Sequence, residues 1–263
     1  MTAFGEGAPC WADVSLPDLA SGLSFYGELF GWSFTDQGEE FGHYTMATLD
    51  GKNVAALMGK TDPAMPTAWS VFLATSDVAK TAAKVTEAGG RLVHGPDAIG
   101  GEGTAAGVID PGGSFVGLWQ PARHSGFELA NVPGSFCWTE NHTPEPEAVD
   151  AFYDALFGYE AQQIGDGVHF DYKAWTVPGG DAPVGGRMKS GGDDPADPTS
   201  AFQVYFTVAD CDEAAVTVRR LGGEVLRDPQ DTPFGRMALV ADDQGARFAV
   251  IDTERRVAEA PGA

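Results

Sequence analysis

The chain repeats itself, and this constrains its fold more than any local signal does. Cys10-Trp11 returns as Cys137-Trp138, 127 residues further on. Phe25-Tyr26-Gly27-Glu28-Leu29-Phe30-Gly31-Trp32 returns at the same offset as Phe152-Tyr153-Asp154-Ala155-Leu156-Phe157-Gly158-Tyr159, with five of eight positions identical. Ala68 to Phe72 then answers Ala201 to Tyr205, now 133 residues on. Asp77, Gly89-Gly90 and Pro96 meet Asp210, Gly222-Gly223 and Pro229 at that second offset. The six-residue step falls in the Gly/Pro/Asp-rich stretch 190–199, where an insertion costs little. Self-similarity held over this many positions predicts two homologous domains, residues 1–122 and 135–263, joined by a linker over 123–134.

Each copy has an internal rhythm as well. A strand at Cys10–Val14 leads to a helix over Leu19–Phe30, where Leu19, Leu23, Tyr26 and Phe30 keep helical spacing and Gly31 suits the residue just past the end. Strands at 44–49 and 54–58 flank Asp50-Gly51, a strong hairpin signal. A second round follows: strand 69–75, helix 78–88 stopped by Gly89-Gly90, then strands near 91–94, 104–109 and 116–119 around the Asp110-Pro111-Gly112-Gly113 turn. The expected class is α+β, four βαβββ units forming two domains in tandem. One such unit cannot close its own core, whereas two together can enclose a concave small-ligand pocket.

The chemistry of the surface excludes some partners. The chain carries 38 Asp+Glu against 16 Lys+Arg, a net charge of −22, which repels nucleic acid and anionic lipid. Three cysteines cannot all pair, the N-terminal segment has no basic or apolar leader character, and no apolar run reaches membrane-spanning length. The expectation is a cytoplasmic protein, monomer or homodimer, with neither a nucleic-acid nor a membrane partner.

These residues resemble the glyoxalase/bleomycin-resistance/dioxygenase (vicinal oxygen chelate) superfamily, and in particular its tandem actinobacterial members labelled hydroxylases or antigens. The resemblance rests on the opening strand, an acidic residue before F-Y-x-x-L-F-G-[WY] (from Asp18 and from Glu145), the strand-Asp-helix-Gly-Gly run, and the turns at Asp110–Gly113 and Asp242–Gly245. It implies metal ligands on the first, fifth and last strands of each domain. Those positions hold Trp11, Ser70 and Gly117 in one copy and Trp138, Gln203 and Ala249 in the other, so neither standard metal site nor any other cofactor is expected.

Strand alternation puts Trp11 and Asp13 on one face, and likewise Trp138 and Glu140. The indoles either wall a site for an aromatic or hydrophobic ligand or plug a cavity that no longer holds a metal. Trp119 and Tyr205 join them as candidate contacts, and Arg187 and Arg236 as possible clamps for a ligand carboxylate or phosphate. Asp13 and Glu140, together with the matched pair His43 and His169, are the candidate acids and bases. His94, His124 and His142 are read as solvent-facing residues of turns or the linker, and Cys10 and Cys137 as buried core thiols. The resulting expectation is a metal-independent small-molecule-binding protein. The alternatives are a lyase, isomerase or cyclase working through a pocket carboxylate and histidine, or a non-catalytic scaffold.

Overall fold

The computed structural model describes residues 4–191 and 200–257, so most of the predicted insertion stretch, 192–199, lies outside the described residues. Four βαβββ modules follow one another. The first holds β1 (Pro9–Leu16), α1 (Leu19–Phe30), β2 (Ser33–Asp36), β3 (Thr45–Leu49) and β4 (Lys52–Gly59). The second holds β5 (Ala68–Ala74), α2 (Val78–Val85), β6 (Arg91–Ile99), β7 (Gly103–Ile109) and β8 (Phe115–Pro121). The third holds β9 (Phe136–Thr143), α3 (Pro146–Phe157), β10 (Glu160–Ile164), β11 (Tyr172–Thr176) and β12 (Gly185–Lys189). The fourth holds β13 (Ala201–Thr207), α4 (Cys211–Arg220), β14 (Glu224–Thr232), β15 (Gly235–Ala241) and β16 (Arg247–Asp252).

In every module the opening strand runs parallel to the closing one: β1 with β4, β5 with β8, β9 with β12 and β13 with β16. The helix supplies the crossover that a parallel pair needs, and the remaining strands add as antiparallel hairpins. Two eight-stranded sheets result, ordered β2-β3-β4-β1-β5-β8-β7-β6 and β10-β11-β12-β9-β13-β16-β15-β14. The short strand β2 has no counterpart in the sequence reading, because Ser-Phe-Thr-Asp is too brief to show a period.

The repeated signatures have local causes. Asp18, Asp77 and Asp210 each cap a helix by accepting from the backbone N–H three residues on. Gly31 and Gly158 end α1 and α3 in the left-handed conformation. Asp50 and Gly51, at φ of 50° and 74°, form the hairpin turn that Asp-Gly favours. Among the described residues no helix is long and apolar enough to cross a membrane. Residues 123–134 are well anchored: Phe127 stacks on Phe136 with centroids 4.6 Å apart, and Glu128 exchanges two hydrogen bonds with the backbone of Asn53.

Compactness divides the chain differently from the repeat. One unit comprises Met1–Trp11, Ser70–Gly126 and Thr139–Phe202, essentially the second and third modules; the other comprises Ala12–Trp69, Phe127–Trp138 and Gln203–Ala263, the first and fourth. Each unit is held by the same device. In the first, the Tyr153 hydroxyl of α3 donates to Asp110 Oδ2 (3.1 Å) in the turn after β7, and Asn141 Nδ2 donates to the same oxygen (2.7 Å). In the second, the Tyr26 hydroxyl of α1 donates to Asp242 Oδ2 (2.8 Å) in the turn after β15, while Trp69 Nε1 donates to Tyr26 (3.0 Å). The neighbouring phenylalanines follow suit. A Cβ on Gly90 would stand 2.5 Å from the Phe152 ring, and one on Gly223 would stand 3.0 Å from Phe25. The Phe-Tyr pair of one repeat therefore fits the Gly-Gly and Asp turn of the other.

Removing either hydroxyl leaves a buried carboxylate short of a donor, which costs about 1–3 kcal/mol. Tyr26→Phe and Tyr153→Phe should each lower the urea midpoint by that equivalent. Midpoints equal to wild type would show that the pair does not hold the unit together.

Candidate functional site

On β1, alternation leaves Cys10, Ala12 and Val14 fully buried toward the helices and turns Trp11 and Asp13 to the opposite face. Asp13 is buried and accepts from the Tyr44 hydroxyl at 3.0 Å. Burial pushes its carboxyl up to about 7, against the opposing pull of that hydrogen bond. Trp11 is buried too, edge-on to His124 with centroids 4.4 Å apart, and Trp119 Nε1 donates to the His124 carbonyl at 3.0 Å. His124 is thus built into the wall, not solvent-facing as its position in the linker suggested.

The second module carries an unusual strip. Across four strands, His94 of β6 is in register with Gly107 of β7, Gly107 with Gly117 of β8, and Gly117 with Phe72 of β5. A Cβ on Gly107 would meet the His94 ring at 2.3 Å, and one on Gly117 would meet the Phe72 ring at 2.1 Å. Both rings therefore lie across a two-glycine floor. Phe115 and Trp119 bracket Gly117 along β8, and Trp119 covers Gly103 in turn. His94 is exposed as expected, but it sits on a strand and not in a turn.

The third module is polar at the matching place. Trp138, Glu140 and His142 alternate onto one face of β9, and His142 Nε2 lies 3.0 Å from Glu140 Oε1. Both side chains are more than nine-tenths buried, which corrects the reading of His142 as a solvent-facing turn residue. Gly186 of β12 is in register with Glu140, and the Tyr172 hydroxyl lies over that glycine, 2.1 Å from where a Cβ would stand. Tyr44 and Tyr172 thus hold equivalent places near Asp13 and Glu140. Neither was singled out from sequence, although continuing the Trp-x-Glu alternation two residues would have found His142.

Other predicted residues lie elsewhere. His43 and His169 sit on exposed loops, bonded through Nδ1 to Asp36 (2.8 Å) and Asp166 (2.7 Å), whose carboxyls are held below the usual range by those bonds. They are not partners of Asp13 or Glu140, which bond to Tyr44 and His142 instead. Arg187 is 1% exposed, and its guanidinium is taken up by Asp150 of α3 and by Asp171, with Lys173 also on Asp150. Arg236 gives Nε and Nη2 to Asp212 and Nη1 to Asp231, all at 2.8 Å. Both arginines fasten helix to strand, and their forks are filled by protein carboxylates, so neither is free to clamp a ligand. Tyr205 is buried, in register with Ala249. Burial pushes the three thiols up, and Cys137, half-buried where full burial was expected, reaches about 11.

Residues 11–118 match the Glyoxalase/Bleomycin resistance protein/Dioxygenase superfamily and residues 138–251 match the Glyoxalase-like domain. The chain belongs to this superfamily, as a tandem member with the vicinal oxygen chelate fold. CFP32 of Mycobacterium tuberculosis, which carries a glyoxylase label, is 36% identical over 94% of this chain and 95% of its own length. The anthracycline biosynthesis protein DnrV of Streptomyces peucetius is 35% identical over 100% of this chain and 99% of its own length. Among solved structures, a Mn(II)-bound glyoxalase from Novosphingobium aromaticivorans superposes with a TM-score of 0.64 at 16% identity, covering 97% of this chain and 87% of that one.

The family implies a divalent metal, and the residues here do not fit one. Such an ion needs imidazole or carboxylate donors converging on a point. Trp11 and Gly117 offer none, and the Phe72 ring occupies the space a longer side chain at 117 would need. In the second copy only the Gln203 amide could contribute, between Trp138 and Ala249. Among the described residues no group of three or more His, Cys, Asp and Glu is placed to hold an ion.

The raised Asp13 carboxyl has a testable sign. Between the ordinary carboxylate value of 3.8 and about 7 the unfolded chain is ionised there while the folded chain keeps its proton. The folded state binds more protons, so this group's contribution declines as pH rises through that window. Asp13→Asn should flatten the fall in melting temperature between pH 4.5 and 7.5 and add about 1–3 kcal/mol of stability at pH 7.5. Parallel wild-type and variant profiles would contradict the assignment.

Proposed function

We propose that this protein is a metal-independent small-molecule-binding protein whose ligand is a planar aromatic compound, captured on the second module. The observation that carries the reading is the ring-over-glycine strip. Phe72 and His94 lie across Gly117 and Gly107, between Phe115 and Trp119, on the sheet face opposite α2. Flat rings seated on backbone present a preset stacking surface, and aromatic pairs add about 0.5–1.5 kcal/mol beyond area burial. Phe72 and Phe115 remain partly accessible, while Trp11 and Trp119 are buried. The relatives named for anthracycline biosynthesis support the same class, since the anthracycline skeleton is a fused planar ring system. Sequestration fits such a surface, as no reactive centre is required.

A second reading, acid-base turnover, draws on Asp13, whose buried carboxyl titrates near neutrality. It would need Asp13 and its Tyr44 partner to face the reacting atoms.

Tryptophan-fluorescence titration with 9,10-anthraquinone tests the first reading. Phe72→Leu should weaken binding about tenfold, in line with the ~1–3 kcal/mol lost with a stacking partner, and EDTA treatment should leave affinity unchanged. A loss of affinity on chelation overturns the metal independence. Binding indifferent to Phe72 overturns the site.

A further inference from the structure

The third module holds a buried dyad that the aromatic strip does not use. Glu140 and His142 share a face of β9, and their contact runs through His142 Nε2. In the tautomer that donates from Nε2 to Glu140, Nδ1 is left with a bare lone pair. That Nδ1 is buried and has no hydrogen-bond partner, an arrangement that costs free energy wherever it serves nothing. Its neighbours in register are Met188 on β12 and, beyond it, Tyr172 on β11. Met188 is half-buried and unbranched, so it can yield to an entering group and favours contact with aromatic rings. Beside Glu140, Gly186 carries no side chain and the Tyr172 hydroxyl lies over it.

We infer that this face of the third module is a second ligand site, which takes a phenolic hydroxyl on His142 Nδ1 with the ring lodged between Met188 and Tyr172. Glu140 is a positioning residue, because it fixes the tautomer that leaves Nδ1 an acceptor. The first module has no such reader: the residue 127 before His142 is Ser15, on the same face as Asp13. The site is independent of the aromatic strip, which contains no comparable acceptor bonded to a carboxylate.

The test pairs 2-naphthol with 2-methoxynaphthalene, which differ in the hydroxyl proton. The wild-type protein should bind 2-naphthol about tenfold more tightly, the equivalent of one well-made hydrogen bond. His142→Gln, which keeps a group near Nε2 but none at Nδ1, should erase that preference. His142→Asn, which restores a polar atom at Nδ1, should keep part of it, and Phe72→Leu should leave it intact while weakening anthraquinone. Long-range ¹H–¹⁵N spectra of the wild-type protein should show the Nε2–H tautomer, with the Nδ1 signal moving when 2-naphthol is added. Glu140→Gln should shift the tautomer balance. No preference in the wild type, a preference that survives His142→Gln, or an Nδ1 signal indifferent to 2-naphthol would each overturn the site. If the histidine variants do not fold, the wild-type spectrum decides alone. Failure here with Phe72-dependent anthraquinone binding intact would leave the strip standing, and the reverse holds equally.

Discussion

The fold depends on one kind of interaction: a buried tyrosine hydroxyl donating to a buried aspartate in a turn that belongs to the other repeat. Asp110 and Asp242 are each 3% exposed, and a carboxylate so placed is tolerable only with its acceptor sites filled. Asp242 receives the backbone N–H of Gln244 and Ala246 as well as Tyr26, and Asp110 receives Ser114 N–H, Asn141 and Tyr153. Burial still holds both carboxyls above their usual range. Tyrosine and turn are therefore mutually obligatory, and with them the Phe25–Gly223 and Phe152–Gly90 contacts alongside. Each compact unit needs a helix from one repeat and a turn from the other, so neither repeat supplies such a unit by itself.

This constraint falls on the helix-facing side of the sheets and leaves the opposite faces free to change. The four modules show that freedom. The first carries an acid with a tyrosine, Asp13 and Tyr44. The second carries rings over glycines. The third carries the Glu140–His142 dyad beside Tyr172. In the fourth, the positions matching His94, Gly107, Gly117 and Phe72 are Arg227, Leu239, Ala249 and Tyr205, in the same register but without the glycine floor. Backbone pairing is common to all four; the side chains on this face are not.

The same split explains what could be read from the chain. The duplication, the helices and the Asp-Gly turn were legible because helix-facing residues must keep their spacing, so Phe25-Tyr26 and Phe152-Tyr153 advertise themselves. Trp11 and Asp13 were legible by alternation along a strand. His142 was hidden because Thr143-Pro144 after it resembles the start of a turn, although β9 runs to Thr143. Arg187 and Arg236 misled for a physical reason: in so acidic a chain a lone arginine stands out, yet nearby carboxylates are the very groups that claim it. His43 and His169 matched because both loops use a histidine to bond an aspartate, which a repeat offset cannot tell from a shared chemical role. The units formed across repeats were illegible, since a tyrosine–aspartate bond 216 residues apart leaves no trace in local pattern.

The residues at the family's ligand positions are tied into their neighbours. Restoring a carboxylate at 117 alone would drive its Cβ into the Phe72 ring, and moving Phe72 would uncover the glycine floor that the ring now closes. Trp11 is likewise committed, because its indole meets His124, whose carbonyl in turn holds Trp119. Two positions where the family would carry ligands, 11 and 117, are thus tied into aromatic packing. What the second module presents on this face is Phe72 and His94 laid over Gly117 and Gly107, a surface of rings where the family would carry metal donors.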